Sequence, residues 1–129
     1  MKTNMILYVS DQQASASFYE KVLLQKPVLD VPGMTQFKLN EDTELGLMPV
    51  AGIRKLLGES LPDPEKAKGI PRAEIYLSVE DPEAFHQRAI ANNAKELSPL
   101  LPRGWGDDAA YSMDSDGHVL VFARRTKAN

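Results

Sequence analysis

A short pattern occurs twice in the chain. Leu7, Val9 and Asp11 in "MILYVSD" recur as Leu77, Val79 and Asp81 in "IYLSVED", seventy residues on. Apolar residues at alternate positions read as a strand, because successive side chains point to opposite faces. An Asp stands two residues beyond each run. A strand that enters a capped helix, twice in 129 residues, constrains the chain to one unit used twice.

The residues after each copy agree with this. In the first, Ser10 and Gln13 read as a capping box. Ala14, Phe18 and Val22 recur every four residues with Tyr19 and Leu23 beside them, so one helical stripe is apolar. Pro27 helps to end the helix. "KPVLDV" is a short extended piece, "MTQFKLN" alternates as a strand, "EDT" turns, and "ELGLMPV" is a further strand ended by Pro49. The second copy opens after Pro71. Asp81-Pro82 starts its helix, since Asp caps and Pro fits the first turn. Phe85, Ala89 and Ile90 give the apolar stripe, and "NNA" ends it, Asn tolerating the left-handed conformation. "KELSPLL" is extended, "RGWGDD" a loop, "AAYSM" a strand, and Asp116-Gly117 a hairpin signal before "HVLVFAR". Each copy thus reads strand, helix, three strands. The reading is a single domain, 1–129, of two modules at 3–50 and 72–125. Between them, 51–71 is a linker with a short helix over Ile53–Leu57, and a plain connector is preferred to a lid.

The two opening strands have unlike faces. Met5, Leu7 and Val9 form one apolar face, as do Ile75, Leu77 and Val79. Asn4, Ile6 and Tyr8, and Glu74, Tyr76 and Ser78, form mixed faces that suit a cavity wall. Leu7, Val9, Phe18, Val22, Leu77, Val79 and Phe85 are therefore the expected core between helices and sheet.

Composition narrows function. Net charge is −3 and the basic residues do not cluster, so neither nucleic acid nor an anionic surface is an expected partner. "RRTKA" near the end reads as a solubilising tail. With no cysteine, disulfides, thiolate metal sites and a cysteine nucleophile are excluded. No apolar run reaches the ~20 residues that span a membrane, and the opening residues are too short in apolar character for a secretory leader. A cytoplasmic location is the expectation. There is no phosphate-cradling glycine motif and no G-x-S-x-G.

The opening "MILYVSDQQASASFYEKVL" and the closing "DSDGHVLVFA" are similar to signatures of the vicinal oxygen chelate superfamily. This group includes glyoxalase I, extradiol dioxygenases, fosfomycin-resistance enzymes and bleomycin-binding proteins. The resemblance covers nearly the whole chain. It implies an α+β fold of two βαβββ modules forming an open, U-shaped mixed sheet around a cavity, with helices outside, and it implies a homodimer. Enzymes of the superfamily usually bind a divalent metal through His and Glu. Carried over, those positions fall on Asn4, near Glu44, on Glu74 and on Val121, where metal-binding relatives have Glu. Asn is a weak ligand and Val is none, so no metal site and no cofactor are expected. The two histidines do not repair this: His86 reads as a solvated helix residue and His118 sits at a hairpin mouth.

Three readings of function stay open. One is a small-molecule binding or sequestering protein of the glyoxalase/bleomycin-resistance type. Another is a metal-dependent lyase, isomerase or dioxygenase. A third is a metal-free enzyme with Glu74 as general base. The first is preferred. Its expected site is Tyr8, Glu74, Tyr76, Trp105 and Tyr111, which suits a small organic molecule carrying a cation or hydrogen-bond donors. Glu74 also reads as a structural charge paired with Arg72 or Arg103, and Trp105 as a loop anchor.

Overall fold

The structure is a computed structural model and describes residues 1–67 and 69–128. It divides into two compact units, 1–68 and 69–129. The first contains β1 (Thr3–Val9), α1 (Gln12–Leu23), β2 (Leu29–Val31), β3 (Met34–Asn40), β4 (Thr43–Pro49) and α2 (Val50–Leu57). Two 3-10 turns, Gly58–Ser60 and Pro64–Ala67, come next. The second contains β5 (Glu74–Ser78), α3 (Pro82–Ala91), β6 (Lys95–Pro102), β7 (Asp107–Met113) and β8 (Val119–Arg125). The strand orders are β1-β4-β3-β2 and β5-β8-β7-β6. In each sheet the first and last strands pair in parallel and the other pairs are antiparallel. The fold is α+β, with two four-stranded mixed sheets and no closed barrel, as the repeat implied.

In the first unit α1 packs on β4 and β3. Leu7 and Val9 are buried with Leu45, Leu47 and Phe37, which the register puts on the same face. The helix is turned from the expected orientation. Ser15, Tyr19, Val22 and Leu23 form its buried stripe. Ala14 is exposed, and Phe18 is half-buried with its ring edge-on to Tyr19 at 4.9 Å. The cap differs too. Asp11, not Ser10, accepts the Ala14 N–H at 3.0 Å, so the helix starts one residue later than the capping-box reading places it. Met5 is 44% exposed, although it belongs to the apolar face. Much of the expected linker is helical: α2 packs Val50 and Ile53 against β1 and β4 and begins earlier than Ile53, and the two 3-10 turns follow it.

In the second unit the helix start is the expected one. Asp81 accepts the Ala84 N–H at 3.1 Å, Pro82 occupies the first turn, and Asn93 just beyond the end has φ +77°. The buried stripe of α3 is Pro82, His86 and Ala89. Phe85 lies at its flank, half-buried, 5.2 Å from the Phe122 ring. Leu77 and Val79 are also only half-buried: β5 is an edge strand as β1 is, but it lacks the helix cover that α2 gives β1. His86 overturns an expectation: it is wholly buried rather than solvated. The fold supplies what the local sequence does not, a carboxylate on β6. Glu96 Oε2 lies 2.8 Å from His86 Nε2, so the imidazole enters the core with a partner. No helix among the described residues is long and apolar enough to cross a membrane.

Candidate functional site

Directly opposed residues in a sheet share a face, so the register maps each wall. In the second unit Glu74 faces Val119 and then Met113 and Lys95. The next row is Tyr76, Val121, Tyr111 and Ser98, and the next is Ser78, Ala123, Ala109 and Leu101. Arg125 and Asp107 close the pattern. The side chains at the centre, Val121, Ala123 and Ala109, are buried, with Tyr111 and Val119 packed against them. The mixed face of β5 is therefore continuous with a small-residue apolar floor, and α3 packs on the other side of the sheet.

One corner of this face is a chain of polar contacts. The Trp105 Nε1–H donates to Tyr76 Oη at 2.9 Å. The Tyr76 hydroxyl donates in turn to Asp107 Oδ2 at 2.7 Å. Asp107 Oδ1 accepts from Arg125 at 3.0 Å, and Arg125 also reaches the Trp105 carbonyl at 3.4 Å. Gly106 makes the turn possible. Its φ is +94°, and a Cβ there would sit 3.1 Å from the Arg125 guanidinium. Burial pushes the Tyr76 phenol above its usual 10.0, the Trp105 hydrogen bond opposes this, and Asp107 adds to the rise through both its hydrogen bond and its charge. The phenol is thus a neutral donor across the physiological range.

Tyr111 is fixed differently. Arg103 lies over its ring at 5.1 Å and donates to the Ala109 carbonyl, the Pro99 carbonyl and Ser98 Oγ. These acceptors border the β6 bulge, so Arg103 ties the irregular strand to β7. It is consequently not a partner of Glu74. Glu74 is exposed, and among the described residues no ion pair from it is found with Arg72 or Arg103. Tyr8 stands in the first unit, half-buried, on the face it shares with Asn4 and Ile6. Of the five expected site residues, Tyr76 and Trp105 touch, and Glu74 and Tyr111 share their face. Asp107 and Arg125 join them beyond what the sequence reading named. The available signal was period two: Asp107, Ala109 and Tyr111 alternate on one face.

The donor set for a metal is poor. In the first unit Asn4 is directly opposite Glu44, beside an open cleft of about 250 Å³ lined also by Lys2, Thr3, Glu41, Asp42 and Thr43. This fixes the register of the strand carrying Glu44. In the second unit Glu74 faces Val119, with fully buried Val121 next on that strand. At the positions that the resemblance implies, Asn4, Glu44, Glu74 and Val121 offer one carboxylate per unit, which does not fit a divalent transition ion that needs three or four good ligands. Asp114, Asp116 and His118 come within 4.8 Å of one another. Asp114 also holds the hairpin: its Oδ1 accepts the N–H groups of Asp116 and His118, and Oδ2 lies 2.9 Å from His118 Nδ1.

The model of the Glyoxalase/Bleomycin resistance protein/Dioxygenase superfamily matches residues 3–122. The chain belongs to this superfamily. Solved structures of the same fold are similar over nearly the full length. A glyoxalase-related enzyme from Fulvimarina pelagi aligns with TM-score 0.81 at 21% identity, over 97% of this chain and 88% of that one. A glyoxalase/bleomycin resistance protein/dioxygenase from Nocardioides gives 0.76 at 18%, over 100% and 85%. A superfamily enzyme from Burkholderia phytofirmans PsJN gives 0.79 at 14%, over 95% and 97%. No curated protein matches the sequence. At these identities the likeness establishes the superfamily fold, and the function has to be read from the side chains of the face.

Proposed function

We propose that this superfamily member binds or sequesters a small organic molecule without a metal, on the mixed face of β5 in the second unit. The observation that carries the reading is Glu74 standing opposite Val119, with Val121 in the next row, where a metal site needs a second strong donor. The apolar floor of Val121, Ala123 and Ala109 beside exposed Tyr76 and Trp105 supports it further. In this reading Glu74, Tyr76, Trp105 and Tyr111 contact the ligand. The test is a small-molecule screen on metal-stripped protein, read by thermal shift and by emission of the single Trp105. Binders that need added Zn, Ni, Mn or Fe refute the proposal, as do binders indifferent to both Glu74→Gln and Trp105→Ala.

A homodimer and a cytoplasmic location belong to the same proposal. The outer strands of the sheets support the dimer, since Leu29, Val31, Leu97 and Leu101 are exposed on β2 and β6. A monomer by light scattering at micromolar concentration refutes it. The cysteine-free composition supports the location, and cell fractionation tests it.

A further inference from the structure

Among the described residues, three buried side-chain polar atoms have no hydrogen-bond partner: His86 Nδ1, Ser112 Oγ and Arg124 Nε. Arg124 Nε has the Asp108 carboxylate at 3.8 Å. His86 and Ser112 are both wholly buried. An unpaired donor or acceptor in such a place is costly.

The fold puts the two residues in one layer. Ser112 on β7 stands directly opposite Glu96 on β6 and Leu120 on β8. Side chains paired in this way share a face, with Cβ atoms about 5 Å apart. Glu96 Oε2 lies 2.8 Å from His86 Nε2, so this row lies under α3. His86 and Ser112 are thus both neighbours of one carboxylate. The next row under the helix holds Ala110 and Phe122. On the buried stripe of α3, Ala89 follows His86 by three residues. Ala89 and Ala110 are small and fully buried, and neither side chain offers a polar partner.

The hydrogen-bonding needs of the two orphaned atoms match. A carboxylate only accepts, so the hydrogen shared with Glu96 belongs to His86 Nε2. The neutral imidazole then presents Nδ1 as an acceptor. The Ser112 hydroxyl both donates and accepts. The two atoms do not bond each other directly. A water between them can donate to Nδ1 and either give or take a hydrogen at Oγ. Buried waters serve otherwise unpaired groups of this kind, making roughly 2–4 hydrogen bonds each.

We propose that one buried water molecule bridges His86 Nδ1 and Ser112 Oγ, and that with Glu96 it holds the imidazole as the Nε2–H tautomer. His86 then ties α3 to two strands at once, to β6 through Glu96 and to β7 through the water. The water site lies on the opposite side of the sheet from Tyr76 and Tyr111 and is independent of the ligand reading.

Two measurements on the full chain test this. A high-resolution crystal structure is expected to show one water within hydrogen-bond reach of both His86 Nδ1 and Ser112 Oγ. Long-range proton–nitrogen spectra at pH 8 read the tautomer, and the His118→Asn variant assigns the signals of the two histidines. The His86 hydrogen is expected on Nε2. Ser112→Ala leaves the water one side-chain partner, so it should remove the water and move the Nδ1 resonance. Glu96→Gln, whose amide can donate as well as accept, should let both tautomers populate. The melting temperature of each variant reports folding, and if a variant does not fold the two wild-type measurements decide. A hydrogen on Nδ1 in the wild type overturns the proposal. So does Ser112 Oγ bonded directly to Nδ1, a crystal structure with no water touching both atoms, or a folded Ser112→Ala variant that keeps the water and the Nδ1 resonance in place.

Discussion

Tyr76→Phe removes one oxygen atom and leaves the ring. In the structure that oxygen ends two hydrogen bonds, one from Trp105 and one to Asp107. A neutral hydrogen bond contributes ~0.5–1.5 kcal/mol net, and one to a charged group ~1.5–3 kcal/mol. The two losses are unequal. Trp105 is 55% exposed, so water can take over its N–H at little cost. The Asp107 side chain is only 14% exposed, yet its other oxygen keeps Arg125 at 3.0 Å, so the carboxylate is not left bare. The total is therefore at the low end, about 1–2 kcal/mol. Urea unfolding followed by Trp105 emission and by far-ultraviolet circular dichroism measures it, with the midpoint falling and the slope unchanged. The single Trp reports the local change as well: its emission anisotropy should drop when the hydroxyl is lost. A double-mutant cycle with Asp107→Ala should give a coupling of about 1 kcal/mol. A loss under about 0.3 kcal/mol with unchanged anisotropy would mean the hydroxyl does not join the two residues.

Tyr19→Ala should cost about 3–5 kcal/mol, as for a buried aromatic, and Phe18→Ala clearly less; equal costs in urea unfolding would reject the observed helix orientation. Stability should also depend on His118. Burial lowers its pKa, but the Asp114 hydrogen bond and charge, with Asp116 behind them, outweigh this and leave it above the usual 6.5. That stabilisation is complete below pH 6.5 and is lost as pH rises through the higher folded value. His118→Asn should remove this slope from a plot of unfolding free energy against pH, and a slope that persists in the variant refutes the assignment. Elemental analysis after dialysis should find well under one equivalent of Zn, Ni, Mn or Fe, and stoichiometric metal lost on Glu74→Ala would contradict the donor count.

The parts of the fold that were legible rest on local chemistry. Leu7-Val9 and Leu77-Val79 alternate, Asp81-Pro82 caps, and Asp116-Gly117 turns; each signal lies within a few residues of what it specifies. The cap at Asp11 differs by one residue from the reading because Ser10 and Asp11 are both good caps, and only the first helical residue decides. His86 defies its residue type, which belongs outside by default. The carboxylate that admits it to the core lies ten residues on, on another element. The site was half legible for the same reason. Tyr76 and Trp105 stand out one at a time, but their union depends on Asp107, 31 residues from Tyr76, and on Arg125 behind it. Nothing in the spacing of those residues announces the contact.

The parallel pairing of first and last strands has a consequence for how the chain can be made. In each sheet the final strand enters between strands that are already there: β4 between β1 and β3, β8 between β5 and β7. A ribosome finishes β4 at residue 49, so the first sheet can close early in synthesis. The second must wait for residue 125, and until then β5 and β7 each lack the neighbour that covers their backbone. From the making of β5 until β8 is complete, the nascent chain therefore carries one completed sheet and one with its central seam open. Premature stops or pauses before Val119 should then expose open strand edges from the second unit alone, leaving the first folded.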